Sequence, residues 1–423
     1  MINSFKNMDL ELYSEKLDNG LEVYIVKTPN INNKYVTFST KYGSIHKDFI
    51  PYNENKIKEL PLGIAHFLEH KLFEQKNKID PFTFYSEHGC DANANTSNFK
   101  TTYLFSGTQF YLEGLDYLLD YVQDPYFTDS NVEKEKGIIL QELNMYQDDP
   151  YSVIYEKLLY NTFNNHPIRY PIIGTKKDID KITKEDLYTC YNTFYNPSNM
   201  FLVITGDVDV NDTMERIKDN QSKKTFNSPF DIKVKDYIED DDVYKGYEEV
   251  KMDVNIPKIG VSFKINTSNI NMDLKKLYVY ISILFDLLYD STSILNEKLM
   301  DDNVITEDLS LTSVSTDKHL AVMIFTESKQ TDYVIEKIVS EVSNINISEE
   351  DLERKKRVYI SSLIYSSDNI YSINHKIMND LVKYNKVYCD TYDMINSLNI
   401  KEFKDVINKL SFENVCSLVI SGK

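Results

Sequence analysis

Read by its apolar and polar positions, the chain opens as paired strands. Residues 10–17 (LELYSEKL) and 21–28 (LEVYIVKT) alternate with a period of two, and Asp18-Asn19-Gly20 between them is a good hairpin signal. A further strand is predicted over 35–43 (YVTFSTKYG). The period then lengthens. Ile64, Phe67, Leu68 and Leu72 recur at helical spacing, which predicts a helix around 61–76 entered through Pro61. Residues 94–107 (ANTSNFKTTYLFSG) read as an alternating strand, 111–124 and 131–147 as amphipathic helices, and 200–208 (MFLVITGDV) as the buried strand that closes the unit.

The second half faintly repeats the first. Residues 182–206 (ITKEDLYTCYNTFYNPSNMFLVITG) and 399–422 (NIKEFKDVINKLSFENVCSLVISG) both place Lys-Glu before an amphipathic helix, then a turn, then an apolar strand ending in Gly. Their offset is about half the chain, as an internal duplication would give. Residues 216–249 between the halves are charged and irregular and read as a linker. The expected fold is α+β, with two homologous α/β domains of similar topology, each a mostly antiparallel sheet packed with helices. Their expected extents are 1–215 and 250–423.

Composition narrows the function. A formal charge of −19 argues against nucleic acid or an anionic membrane as the main partner, and makes a basic peptide easier to attract. Cys90, Cys190, Cys389 and Cys416 lie far apart with no C-x-x-C pair, which fits reduced thiols better than a disulfide framework or a cysteine zinc site. The N-terminal stretch has acidic residues where a signal peptide needs an apolar core, and no window is expected to span a membrane. A cytoplasmic location is the expectation.

Only seven histidines occur in 423 residues, yet two of them, His66 and His70, sit four apart in GIAHFLEHKLFEQ. On a helix that spacing stacks both imidazoles on one face, where they can share a metal ion. Glu69, three residues after His66, borders the same face and can reach a water there. This is the inverted zinc-peptidase order, H-x-x-E-H. A catalytic zinc takes three protein ligands and leaves a fourth position for water, so a third ligand must come from elsewhere. Glu135 and Glu142, seven apart in VEKEKGIILQELNMYQDD, share one helical face. One could coordinate while the other orients a ligand histidine, and spacing alone does not say which. His88 and His166 read as loop histidines, and His46, His319 and His375 have no companion at metal-binding spacing.

HFLEH, EKEKGIILQELNMYQDDP, NANTSNFKTTYLF and YNPSNMFLVITGDV together resemble the pitrilysin/insulysin superfamily of inverted zinc peptidases, and more closely its short bacterial, YmfH-like branch related to mitochondrial processing peptidase. The resemblance is strong over 10–210 and rests on architecture beyond that. It implies zinc on His66, His70 and Glu142, Glu69 as the base, and Glu135 as the carboxylate behind the ligands. Asn93 and Ala94 match the family's Asn-Ala on the strand that a peptide joins by β-augmentation. It also implies two domains facing each other as half of a clamshell, and substrates that are unstructured peptides.

One departure matters. Where the family carries an Arg/Tyr pair in the non-zinc half, the corresponding stretch 291–314 (STSILNEKLMDDNVITEDLSLTSV) has neither, and the chain holds only Arg169, Arg216, Arg354 and Arg357. The resemblance therefore implies a zinc-bearing subunit whose homologous partner supplies the pair, in a heterodimer or, as the other arrangement, a homodimer. The competing expectation is an inert structural or peptide-binding subunit of the same fold.

Overall fold

The computed structural model describes residues 1–423, the side chain of Asn344 excepted. In chain order its strands are β1 (Ile2–Phe5), β2 (Leu10–Lys16), β3 (Glu22–Lys27), β4 (Lys34–Thr40), β5 (Asp48–Phe49), β6 (Lys58–Glu59), β7 (Asp91–Thr96), β8 (Thr101–Gly107), β9 (Met200–Gly206), β10 (Tyr247–Met252), β11 (Lys258–Asn266), β12 (Ser310–Ser315), β13 (His319–Glu327) and β14 (Val415–Gly422). One sheet runs β1-β2-β3-β9-β4-β8-β7 and another β10-β14-β11-β13-β12, with β5 and β6 forming a small separate pair. Each large sheet is antiparallel except where its last strand in sequence enters beside an early one: β9 runs parallel to β3, and β14 parallel to β10. The order β3-β9-β4-β8-β7 is thus repeated as β10-β14-β11-β13-β12. The two similar stretches at 182–206 and 399–422 end as the inserted strands β9 and β14, each preceded by a side-chain-capped helix, Lys184–Phe194 behind Thr183 and Ile400–Ile407 behind Asn399.

The compact units do not follow chain order. Unit 1 comprises 1–143, 171–236 and 362–392; unit 2 comprises 144–170, 237–361 and 393–423. A division at 215 and 250 does not follow these units at 144–170 and 362–392, and for the latter the reason is written in β9. All seven of its residues are buried, so both faces of its sheet need cover. Leu202 and Ile204 join the core shared with Leu115, Leu118 and Leu119 of the helix Tyr111–Val122. Phe201 and Val203 face the other way, against Ile373, Ile377, Met378 and Leu381 of the helix Ile370–Tyr384. Polar bonds seat that helix: Thr37 Oγ1 donates to Asn374 Oδ1 at 2.7 Å and Thr205 Oγ1 to the Ile370 carbonyl at 2.9 Å. Reciprocally, the helix Pro150–Thr162 packs on β11 and β14 of unit 2, where Gly260 lets Ile154 and Leu158 approach the strand. The charged stretch after residue 215 begins as helix, Val210–Ser222, and becomes irregular only beyond it.

Other expectations shift locally. Residues 94–107 form a hairpin rather than one strand: β7 turns at Ser97–Lys100 into β8, and Ser97 Oγ accepts the amide of Lys100 at 3.1 Å. The alternation spans both arms, so it hides the turn. The helix over 61–76 shortens to Ile64–Leu72, because Gly63 before it has φ +83°. A Cβ there would lie 2.2 Å from the Ile173 carbonyl oxygen, which makes glycine a requirement. Against expectation, residues 274–301 contain one window apolar and long enough to cross a membrane, with mean hydropathy 1.2. Two helices share that span, Leu274–Tyr289 and Ile294–Asp301, and 56% of the window is buried. Leu277, Ile281, Leu284 and Phe285 are fully or almost fully buried, which marks a core helix.

Candidate metal centre and active site

Two helices of unit 1 meet over its sheet. The histidine helix, Ile64–Leu72, packs on β7 and β8 and buries Ile64, Phe67, Leu68 and Leu72. That leaves His66 and His70 on the adjoining face, with ring centroids 4.6 Å apart. The carboxylate helix, Asp129–Asp148, buries Val132, Ile139 and Leu143, and the same periodicity carries Glu135 and Glu142 to the histidines.

Donor atoms of His66, His70 and Glu142 all lie within 4.8 Å of one another, and among the described residues this is the one cluster that could hold a metal ion. Nε2 of His66 is 3.6 Å from one Glu142 oxygen, and Nε2 of His70 is 3.5 Å from the other. A tetrahedral zinc with arms of about 2.0–2.1 Å has edges of roughly 3.4 Å, so this donor set fits the ion in both chemistry and spacing. Glu135 stands behind: its Oε1 is 3.1 Å from Nδ1 of His70, the nitrogen that points away from the cluster. A carboxylate there fixes the ring and leaves Nε2 free to ligate.

The electrostatics separate the two histidines. Burial, then the neighbouring His70, pushes His66 down to about 3, so it stands neutral with its lone pair available. Burial also opposes charge on His70, but Glu135 with Glu69 and Glu142 outweighs it and holds His70 above the ordinary imidazole value. Glu135 is lowered: burial works against its charge, but the bonds from His70 and Lys71 prevail. Glu69 is raised chiefly by burial, with the Thr96 hydroxyl pulling the other way, which moves it toward the range of a neutral-pH base.

Three residues escape sequence reading. Lys71 has a fully buried side chain, and its ammonium ion pairs with Glu74 and approaches Glu135 Oε2 at 3.5 Å. Thr96 donates to Glu69 Oε2 at 2.5 Å. Glu74 completes the carboxylates around Lys71. None of the three residue types offered a signal, since a lysine or glutamate is ordinarily solvated and a threonine ordinarily serves its strand. Asn93 and Ala94 lie on β7, the edge strand of the sheet, and Asn93 Oδ1 accepts the amide of Ala94 at 2.8 Å.

Unit 2 carries the matching helices without the chemistry. Leu274–Tyr289 follows β11 as the histidine helix follows β4, and Glu349–Ser366 follows β13 and one further helix as the carboxylate helix follows β8. Near the end of the first of these helices, Asp286 and its C-cap Asp290 lie beside the second. Tyr359 donates to Asp286 Oδ2 at 2.6 Å and Lys355 ion pairs with Asp290. A buried ammonium thus pairs with one carboxylate and a phenol donates to the other. Two of the four arginines are engaged elsewhere: Arg169, almost buried, lies 3.9 Å over the ring of Tyr160, and Arg216 ion pairs with Asp116.

Comparison with known proteins finds two family matches along the chain. Residues 56–176 match Insulinase (Peptidase family M16), and residues 181–359 match the Peptidase M16 inactive domain. The chain is 36% identical to the uncharacterized zinc protease YmfH of Bacillus subtilis (strain 168), over 98% of each sequence. The crystal structure of a putative M16-like peptidase from Alicyclobacillus acidocaldarius superposes with a TM-score of 0.92 at 30% identity, covering 99% of this chain and 100% of that one. The periplasmic protease PqqL of Escherichia coli shares the fold, with a TM-score of 0.74 at 17% identity, across 100% of this chain and 48% of its own. Repeated mixed sheets, one with an H-x-x-E-H helix against a carboxylate helix, define the inverted zinc-peptidase class. Within it, the chain belongs to the M16 peptidase family and resembles the YmfH-like zinc proteases along its whole length.

Proposed function

We propose that this chain is a zinc-dependent endopeptidase that hydrolyses unstructured peptides. The observation that carries the reading is the convergence of His66, His70 and Glu142 donors within 4.8 Å, beside a buried carboxyl group on Glu69. His66, His70 and Glu142 would hold the zinc. When bound, the ion supplies Lewis acidity toward a scissile carbonyl and toward the water that attacks it. Glu135 orients His70 through Nδ1. Glu69 takes a proton from the attacking water as the new C–O bond forms, and then delivers it to the departing amine as the C–N bond breaks. An extended peptide pairs with the free edge of β7, where Asn93 and Ala94 offer a side-chain amide and backbone groups beside the reacting centre.

We further propose that the chain works as the zinc-bearing member of a pair, with a homologous subunit that supplies an Arg/Tyr pair. Two observations support this: stretch 291–314 lacks both residues, and a chain about twice as long houses this fold in 48% of its length. The alternative, an inert subunit, leaves unexplained why the four ligating and proton-transferring side chains remain assembled.

Cleavage of internally quenched unstructured peptides tests the reading. The zinc-loaded chain should cleave, chelation should stop it, and Glu69→Gln should lower kcat by about 10²–10⁴-fold while zinc stays bound. Undiminished cleavage by Glu69→Gln would remove Glu69 from the chemistry.

A further inference from the structure

The hydroxyl of Thr96 lies 2.5 Å from Glu69 Oε2 and donates to it. Thr96 is the last residue of β7, and it pairs across the hairpin with Thr101, their hydroxyl oxygens 3.3 Å apart. Thr101 in turn donates to the Tyr42 carbonyl at 2.9 Å, which ties the foot of the hairpin to the residues following β4. Along β7 exposure alternates. Asp91, Asn93 and Asn95 are exposed, whereas Ala92, Ala94 and Thr96 are half-buried, the last against the base. Strand β7 is hydrogen-bonded on one side only, to β8.

We infer that Thr96 is a positioning residue that couples occupation of the β7 edge to alignment of Glu69. The inference rests on the reading of Glu69 as the base. A glutamate has three rotatable side-chain bonds, and burial alone does not select the one carboxylate orientation that reaches an attacking water. The Thr96 hydroxyl does, by charge-assisted hydrogen bonding to one oxygen, leaving the other for the proton. Because the donor rides on an edge strand, its position follows that strand. A peptide that pairs with the free edge restrains β7 from both sides and so restrains the donor. Binding energy from residues remote from the cleaved bond then appears in kcat rather than only in KM.

The test compares Thr96→Val, Thr96→Ser and Glu69→Gln in the zinc-loaded full chain. The probes are an internally quenched unstructured peptide and truncations that lack its flanking residues. Thr96→Val is close to isosteric but has no donor. It should lower kcat about 10- to 100-fold on the long peptide, the expected cost of losing a hydrogen bond to a charged group, with KM and zinc content nearly unchanged. Thr96→Ser should restore most of the rate. The Thr96→Val defect should shrink on the truncated peptides, which leave β7 unpaired. In the Glu69→Gln background, Thr96→Val should leave long-peptide affinity unchanged; weakened affinity would make Thr96 a substrate contact instead. A second readout needs no turnover: in the crystal structures Glu69 should turn away from its position in Thr96→Val and keep it in Thr96→Ser. An unmoved Glu69 in Thr96→Val, or wild-type kcat there while Glu69→Gln is inactive, overturns the role of Thr96 alone. Full activity of Glu69→Gln overturns the underlying assignment of the base.

Discussion

At the scale of single residues, the two histidines four apart differ in what they ask of a proton. His66, held down to about 3, is neutral throughout the working range, while His70 keeps a raised value through its contact with Glu135. Below that raised value the metal must displace one proton, from His70, and none from His66. Zinc affinity of the metal-free chain should therefore rise by about one decade per pH unit from pH ~5 upward and flatten once His70 is neutral. Competition titration at several pH values checks this; two decades per unit would mean that both histidines start protonated. The linkage to folding has matching signs. The His70 contribution to metal-free stability is full below the ordinary imidazole value and is lost as pH rises through the raised one. The depressed His66 instead weakens the fold as pH falls from the ordinary value toward 3. The residues legible in the sequence were those whose types announce chemistry: His66, Glu69, His70, and the pair Glu135 and Glu142. Lys71 and Thr96 were illegible, because a lysine is ordinarily solvated and a threonine ordinarily serves its strand. Only the arrival of the carboxylate helix at Lys71, and of β7 at Glu69, brings either one to the site.

At the scale of elements, helices and strands were readable from periodicity, but their ends were set by contacts with distant residues. Gly63 limits the histidine helix because Ile173, more than a hundred positions away, leaves no room for a Cβ. The largest element-scale surprise is the exchange of cover helices. A fully apolar strand such as β9 declares that both of its faces are buried, but not by what. Ile373, Ile377, Met378 and Leu381 supply the second face. At about 1.5–3 kcal/mol for each buried side chain, their contribution is comparable to the whole stability of a typical domain. Residues 1–249 expressed alone should therefore be largely unfolded or aggregated, with Phe201 and Val203 exposed. Adding residues 362–392 should restore a cooperative melt. Far-UV circular dichroism and thermal melts distinguish the outcomes, and a stable, cooperatively folding 1–249 fragment would contradict the assignment of that helix to unit 1.

At the scale of the whole molecule, the strand order is repeated but, among the described residues, the cluster that could hold a metal is not. In unit 2, Tyr359 donates to Asp286 and Lys355 ion pairs with Asp290. Repetition was faintly visible in the two stretches ending at Gly206 and Gly422. The pairing of Asp286 and Asp290 with Tyr359 and Lys355 was not, since aspartate, lysine and tyrosine are too common for their spacing to be noticed. The proposed pairing has its own consequence. Adding a homologous chain that carries the Arg/Tyr pair should raise kcat/KM on an unstructured peptide by at least about tenfold. Equal activity of the isolated chain, with or without such a chain, would contradict the pairing and leave the zinc centre untouched.

The most direct test of the central claim is the zinc content of the purified, folded chain, measured for wild type and Glu142→Gln by elemental analysis after dialysis. About one zinc per chain in the wild type, lost or greatly weakened in Glu142→Gln with the fold intact, is the predicted result. A folded wild type that takes up no zinc even after the metal is supplied would contradict it, and would leave the chain a scaffold with the fold of a peptidase.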